Sequence, residues 1–548
     1  MNRRRIHVTG LILLACTLSN LSGQTTYYKY WIEFSGKDNT PYTTDHPEEY
    51  LSERAIQRRE NQGIDIKMND LPVDPDYVTE IETIGGRTIH RSRWFNAILY
   101  ETTDSFDVDE IAAKDFVKAV HAMYGGDFSF FSPPSGMKKS AGEDYYDYGH
   151  SKNQIRINNG QRLHNDGYRG KGMLIAILDA GFYNVDSFPA FDSLWTNGQI
   201  VGYKDFVHKD NNLFREHSHG MSVLSLMGGN IPGKLVGTAP EADFLLLRSE
   251  DINSECRVEE INWIAAAEYA DSAGADLINS SLGYSDFDNP DQDYTYEDMD
   301  GNTTWVTRGA DIAASKGILV VASAGNEGNK PWKYIIAPAD ADSVLAVGSV
   351  DSLGQYSPFS SMGPTYDGRI KPNVMAQGSK AWVQDKSGQI KQGNGTSFAA
   401  PIMTGLTACL WQRFPDKTNY EIIEILEQSS SKYPYPNDKY GYGIPNMGVA
   451  TDMLTGEKDL SAEPGVRLYP NPSSDHNIRL VVPEQAGPVV RIQIFDVTGK
   501  WMQTMPPSVL QGGPEQVLYL PPNIQPGMYI LRITTEKKIL ALRLIMNE

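Results

Sequence analysis

Apolar and polar positions along the chain fall into three regimes. Between 29 and 121, short alternating runs and amphipathic stretches take turns. Strands are predicted at 29–34, 87–91, 96–101 and 117–121, and helices at 48–61, 75–84 and 107–114, with Asp74 as N-cap and Pro75 at the first helical position. From 149 to 454 the pattern changes. Apolar strand candidates fall at 174–178, 243–247, 277–280, 319–322 and 344–347, those at 174–178 and 319–322 continuous as expected of strands covered on both faces, and helical patterns at 161–167, 258–273 and 307–316 lie among them. That alternation predicts an α/β domain built on a parallel sheet with helices on both sides. From 467 to 548 only short strands recur, near 478–482, 490–496, 516–520, 528–534 and 540–546, which predicts a small all-β sandwich.

The intervening segments set the domain boundaries. Residues 1–24 carry a basic start (Arg3, Arg4, Arg5), a short apolar run over 8–18 and small residues at Ser22 and Gly23, the pattern of a secretory signal peptide too short to span a bilayer. Leu13-Leu14-Ala15-Cys16 also resembles a lipoprotein cleavage box, which would make Cys16 a lipid-modified terminus. Gly, Pro and Ser residues, two lysines and an acidic tyrosine cluster over 125–148 read as an exposed, cleavable linker. The division is therefore 1–24 signal, 25–122 α+β module, 123–148 processing linker, 149–454 central domain, 455–466 polar linker and 467–548 β-domain.

Composition removes several classes of function. A chain of 548 residues, 40% apolar, supports several real cores. Its net charge of −20, with no long Lys/Arg cluster beyond the N-terminus, makes nucleic acid and anionic membrane poor partners. Of three cysteines, Cys16 leaves with the signal peptide. Cys256 and Cys409 make neither a disulfide framework nor a zinc site and read as buried thiols.

Candidate chemistry gathers in the central domain. Gly393-Asn394-Gly395-Thr396-Ser397-Phe398-Ala399-Ala400-Pro401 reads as a loop delivering Ser397 to the start of a buried helix, whose first amides face outward. Alone, Ser397 equally suits an N-cap. A serine nucleophile needs a base, an acid to orient that base and donors for the oxyanion. Asp179 ends the apolar run at 174–178, His219 precedes Gly220 and small residues that let a helix begin close to the sheet, and Asn326 ends the run at 319–322 with an amide able to donate. Leu178-Asp179-Ala180-Gly181, His219-Gly220-Met221-Ser222-Val223, Ser323-Ala324-Gly325-Asn326-Glu327-Gly328 and Gly395-Thr396-Ser397-Phe398-Ala399-Ala400-Pro401 together resemble the motifs of the subtilisin-like serine proteases, in that family's order. Gly237-Thr238-Ala239-Pro240 resembles a further turn of the family, and Met221 stands where the family usually has Thr.

The resemblance implies a secreted endopeptidase acting on proteins or peptides. Asp179 would orient His219, His219 would take the Ser397 proton, and Asn326 with the Ser397 amide would hold the oxyanion; no cofactor carries the chemistry. Asn279-Ser280-Ser281-Leu282-Gly283 resembles the edge that pairs with substrate, which assigns Ser281, Leu282 and Gly283, with Gly325 opposite, to substrate binding. The uncharged pocket walls favour apolar side chains, and Ile336 is placed at the pocket base. The module at 25–122 resembles the family's inhibitory propeptide, with a retained independent domain as the alternative. The β-domain, opened by Arg467-Leu468-Tyr469-Pro470-Asn471-Pro472, resembles the C-terminal sorting domain of bacterial type IX secretion cargo, which implies that machinery as partner and a secreted or cell-surface location in a Gram-negative bacterium. No transmembrane segment is expected in the mature protein.

Other readings stand beside these. The acidic segment 286–304, with Asp298-Met299-Asp300-Gly301-Asn302-Thr303, has the oxygen spacing for a structural calcium but lacks the Glu that closes an EF-hand loop, so its ligands are unassigned and a solvated acidic loop over the cleft is the better reading. His217-x-His219 lacks a third ligand, so no metal is assigned. An esterase of the α/β-hydrolase type is excluded because Ala399 replaces the second glycine of its motif and the order here is Asp, His, Ser. A catalytically dead surface adhesin on the same fold is the rival from another class, separated by labelling with a serine-directed probe.

Overall fold

A computed structural model describes residues 27–123, 144–208, 212–462, 467–474, 476–482, 489–496, 501–505, 515–520, 524–535 and 539–547. The signal segment 1–24 and most of the processing linker 123–148 lie outside them. The N-terminal module comprises β1 (Tyr28–Phe34), α1 (Glu53–Asn61), α2 (Pro75–Glu82), β2 (Arg87–Ser92), β3 (Ala97–Thr102), α3 (Asp107–Ala112) and β4 (Val117–Met123), with an antiparallel sheet in the order β2-β3-β1-β4. Asp74 caps α2, its Oδ1 accepting from Asp76 N at 2.9 Å. The helix predicted at 48–61 is shorter: Pro47–Glu49 forms a separate 3₁₀ turn, and Ser52 caps a fresh start by accepting from Ala55 N.

In the central domain, short helices α4 (Lys152–Arg156) and α5 (Gln161–Asn165) lead to β5 (Leu174–Asp179). Next come α6 (Asp192–Thr196), β6 (Ile200–Asp205), α7 (His219–Gly228), the two-residue strands β7 (Asn230–Ile231) and β8 (Leu235–Val236), β9 (Asp243–Arg248), α8 (Val258–Ala273), β10 (Leu277–Ser280), α9 (Trp305–Ser315), β11 (Leu319–Ser323), β12 (Leu345–Val350) and β13 (Val374–Gln377). A hairpin of β14 (Ala381–Gln384) and β15 (Ile390–Gly393) delivers α10 (Thr396–Arg413), followed by α11 (Asn419–Gln428) and α12 (Met447–Ala462).

Seven strands form one parallel sheet in the order β13-β12-β11-β10-β5-β9-β6. Alternate residues feed opposite cores. Ile175 and Ile177 of β5 pack with α7 and α10, whereas Leu174, Ala176 and Leu178 pack with α8 and α9, which is why these runs are continuously apolar. After β5 the chain builds toward β6, and from β10 onward toward β13. The order therefore reverses at the β5/β10 pair, and the crevice beyond their carboxyl ends is where such sheets bind ligands. The sequence reading missed β6 and β13: β6 is a half-exposed edge strand interrupted by Gly202, and β13 has only four residues.

The polar linker read at 455–466 is largely helical, because α12 runs on to Ala462; Glu457, Lys458 and Asp459 are polar, but polarity does not prevent a helix. Beyond it, β16 (Arg467–Tyr469), β17 (Asn477–Val481), β18 (Val489–Asp496), β19 (Trp501–Met505), β20 (Glu515–Tyr519), β21 (Gly527–Thr535) and β22 (Ile539–Met546) form sheets β16-β17-β20 and β19-β18-β21-β22 around one core. No helix among the described residues is long and apolar enough to cross a membrane.

The N-terminal module sits on α8 and α9. Trp31, Trp94, Leu99 and Met123 join the core of the central domain, and the Trp31 ring meets Trp305 edge-on at 6.0 Å. Around this apolar contact, Arg58, Arg59 and Arg93 all pair with Asp271 of α8, while Asp70 takes Arg59 at 2.8 Å and Lys316 at 2.9 Å. None of these side chains is more than 8% exposed.

Candidate active site

His219 is the first residue of α7, and Gly220 decides how near that helix can start. A Cβ on Gly220 would stand 2.6 Å from Gly181 O and 2.9 Å from Asp179 Cβ, so only glycine allows this approach to the end of β5. The result is an imidazole Nδ1 2.8 Å from Asp179 Oδ1. Asp179 is fully buried, and its Oδ2 has no hydrogen-bond partner among the described residues, which leaves much of the carboxylate charge to be balanced by the ring. Burial works against the His219 cation, but the Asp179 charge and hydrogen bond outweigh it and raise the pKa above the ordinary histidine value. Phe398 and His217 flank the ring nearly parallel to it, with centroids at 6.1 and 6.4 Å.

Ser397 lies in the first turn of α10, partly exposed. Its hydroxyl donates to Ser281 O at 3.2 Å, and no hydrogen bond joins it to His219 among the described residues. Such bonds commonly tighten only once substrate is bound.

Asn326 is exposed, and its orientation is fixed by chemistry. Its Oδ1 accepts from Thr396 N at 2.9 Å and Thr396 Oγ1 at 3.1 Å, so the amide oxygen is taken and Nδ2, 3.9 Å from where a Gly395 Cβ would stand, keeps two donor protons beside the Ser397 turn. Thr396 Oγ1 also accepts from Gly325 N at 3.2 Å, tying the Gly325-Asn326 turn to the serine. The sequence reading missed Thr396; its place directly before Ser397 was the available signal. The Ser397 amide, at a helix start, has no partner four residues earlier in the helix.

Ser281, Leu282 and Gly283 directly follow β10, beside Ser397. Among the described residues, no backbone–backbone hydrogen bond outside the strands uses Leu282 or Gly283, until Tyr284 N meets Ala337 O at 2.8 Å. Gly283 and Gly325 face one side chain: a Cβ on Gly283 would lie 2.3 Å from Ile336 Cδ1, and one on Gly325 2.9 Å from Ile336 Cγ1.

The carboxylates of the acidic segment turn to their own loop. Asp298 accepts from Thr295 N at 2.7 Å, and Asp300 from Asn302 N and Thr303 N, each at 2.8 Å. Among the described residues, the carboxylates close enough to share an ion lie elsewhere: Glu250, Glu255 and Glu259, with one oxygen each, lie within 4.8 Å of one another. Burial and the charges of Asp286 and Asp288 push Glu255 up to about 7, and burial with the charges of Glu250 and Glu255 pushes Glu259 up to about 12. Cys256 and Cys409 are both free and buried, as expected from the sequence.

Comparison with known proteins agrees with this geometry. The model of the subtilase family matches residues 170–443, a Bacteroidota peptidase S8 propeptide domain matches 29–129, and a secretion system C-terminal sorting domain matches 467–547. Subtilisin NAT of Bacillus subtilis subsp. natto is 30% identical over 292 residues, covering 53% of this chain and 68% of that protein. Serine protease AprX of Bacillus subtilis (strain 168) is 28% identical over 327 residues, 54% of this chain and 68% of that one. Among solved structures, MycP1 from Mycobacterium smegmatis aligns at 23% identity and a TM-score of 0.45, covering 60% of this chain and 89% of its own. The sorting domain marks a protein that is secreted or carried on the cell surface. With four motifs brought to one crevice and the family model spanning all of them, the chain belongs to the subtilase family and is a secreted serine endopeptidase made as a zymogen.

Proposed function

We propose that Asp179, His219 and Ser397 act as the triad and that Asn326 Nδ2 and the Ser397 amide bind the oxyanion. Asp179 holds His219 with its proton on Nδ1, leaving Nε2 to accept the Ser397 proton as Oγ attacks the scissile carbonyl. The same ring then delivers that proton to the leaving amine. The observation that carries the reading is the Asn326 orientation: Thr396 takes its oxygen, which leaves donors where negative charge would develop. No cofactor is needed for these steps, and the type IX machinery is the export partner that fits the sorting domain. A fluorophosphonate probe should label the mature enzyme, and Ser397→Ala should abolish both labelling and casein hydrolysis; labelling that survives would move the nucleophile elsewhere.

The substrate side chain before the scissile bond would enter between 281–283 and Gly325. Ile336 fills the floor between them, so the pocket is shallow and uncharged and suits small apolar residues. In a peptide library, Ile336→Gly should raise cleavage after Phe or Tyr relative to Ala by about tenfold or more, since each methylene of pocket space is worth roughly that much. Unchanged preference would remove Ile336 from the pocket.

A further inference from the structure

Helix α10 carries the nucleophile in a turn that cannot satisfy itself. The residue four places beyond Ser397 is Pro401, which has no N–H, so the Ser397 carbonyl lacks the donor a regular helix would give it. The missing donor comes from β10's end: Ser281 Oγ donates to Ser397 O at 3.0 Å, while the Ser397 hydroxyl donates to Ser281 O at 3.2 Å. One bond grips the backbone of the nucleophile and the other its reacting oxygen.

The direction of the first bond is set from behind. Asn279 Nδ2 donates to Ser281 Oγ at 3.1 Å, so the serine's single proton is left for Ser397 O. The orphaned carbonyl orients the Asn279 amide in turn: Ser281 spends its proton on Ser397 O, so its Oγ can only accept from Nδ2, which turns Asn279 Oδ1 to Thr404 Oγ1 at 2.9 Å. Thr404 shares its proton with Ala400 O, also at 2.9 Å. Asn279 and Thr404 are fully buried and Ser281 nearly so. Three donors therefore point one way, from Thr404 through Asn279 and Ser281 to the carbonyl that Pro401 leaves orphaned, in a relay that begins and ends on α10.

Building on the reading of Ser397 as nucleophile, we propose that Asn279 is a positioning residue for catalysis. Through Ser281 it holds the first turn of α10 while the reaction changes the partner of the Ser397 hydroxyl. When substrate is bound and His219 takes the proton, the bond from Ser397 Oγ to Ser281 O breaks. The bond from Ser281 Oγ to Ser397 O persists, so the oxyanion amide stays in place as Oγ swings. Without Asn279 the Ser281 proton is free to turn away, and the turn loses its fixed orientation.

The test uses the mature enzyme with active sites titrated, so that unfolded protein does not count. Asn279→Ala and Asn279→Asp should each lower kcat about 10- to 100-fold with KM changed less than about twofold, as expected when a buried hydrogen bond is lost in the transition state. The carboxylate of Asn279→Asp would accept the Ser281 proton instead of donating to Ser281 Oγ. Pro401→Ala restores a backbone N–H opposite Ser397 O, so in that background Asn279→Ala should lower kcat by less than about threefold, a coupling that simple cavity formation would not produce. If the Asn279 variants do not fold, Ser281→Ala, at the cleft edge, carries the same cycle. Equal losses in both backgrounds, an effect confined to KM or melting temperature, or unchanged kcat overturns the proposal. Probe labelling that persists in Ser397→Ala would instead overturn the nucleophile assignment.

Discussion

The C-terminal sandwich closes its core with its own side chains, all between Ile478 and Met546, whereas the N-terminal module has two cores and owns only one of them. Tyr30, Ile32, Val78, Ile81, Ile98 and Ile111 pack among themselves on one face of its sheet. On the other face Trp31, Trp94, Leu99 and Met123 are buried only because α8 and α9 cover them. Its charges follow the same division, since Asp271 of α8 is buried beneath three arginines of the module. A buried charge contributes little net stability when paired and costs heavily when its partner is removed. Such a cluster therefore specifies one docking geometry. The N-terminal module is fitted to the enzyme surface, and the C-terminal one is a self-sufficient address.

The comparison is broken most severely at Asp271. Asp271→Ala should leave Arg58 and Arg93 without their buried carboxylate and Arg59 with Asp70 alone, at about 3–5 kcal/mol for breaking a buried pair, and so weaken inhibition of the mature enzyme by the separately added module about 150- to 5,000-fold. Turnover of the uninhibited enzyme should be unchanged. The inhibition constant is the measurement; a change under about tenfold would mean that Trp31 and Trp305 carry the docking without the ions.

Acid separates the two charged regions. With His219 as the proposed base, activity should need its neutral form, and its raised pKa should put the acid limb above the ordinary value of about 6.5, with roughly tenfold loss per pH unit below it. At the interface, burial opposes the Asp271 and Asp70 charges, but Arg93, Arg59, Arg58 and Lys316 hold both carboxyls below their usual range. A depressed carboxyl contributes stability that is present above its unfolded pKa, about 3.9, and is lost only as pH falls through the lower folded value. Glu268, which burial raises, works in the opposite direction and gains as pH falls. Between about pH 6 and pH 4, hydrolysis should collapse while the module stays bound, as followed by gel filtration of the complex. Release above about pH 5 would show that the paired carboxylates of Asp271 and Asp70 do not hold the module.

What could be read from the sequence follows from burial. Runs covered on both faces, such as 174–178 in β5 and 319–322 in β11, leave no ambiguity because every position is apolar. Helix α8 is bounded as predicted because Gly274 adopts φ 87° as its left-handed cap. The four catalytic candidates each end or follow such an element, so their convergence was legible. The interface was not. Arg58 and Arg59 look like the polar stripe of a surface helix, and their partner lies more than 200 residues away. Asn279 was hidden for the opposite reason, since a polar residue inside a buried strand shows neither its neighbour Ser281 nor the distant Thr404 that its amide oxygen meets.

The smallest expected effect on catalysis is also the sharpest test of the comparison. If the sandwich is closed on itself, removing 467–548 takes away none of the side chains that build the two cores on either side of the seven-stranded sheet, and no candidate triad, oxyanion or edge residue lies within it. The truncated enzyme should fold and hydrolyse peptides within about twofold of the full chain, because cutting between independent cores costs each little. Its destination should change completely: without the sorting domain it should stop in the periplasm of the native host, where a signal peptide alone delivers it. Cell fractionation reads the second outcome and titrated kcat the first. Surface export of the truncated form would refute the address role. A large loss of kcat in the purified truncated form would show that the sandwich supports the catalytic domain after all, and the two ends of the chain would then differ in degree only.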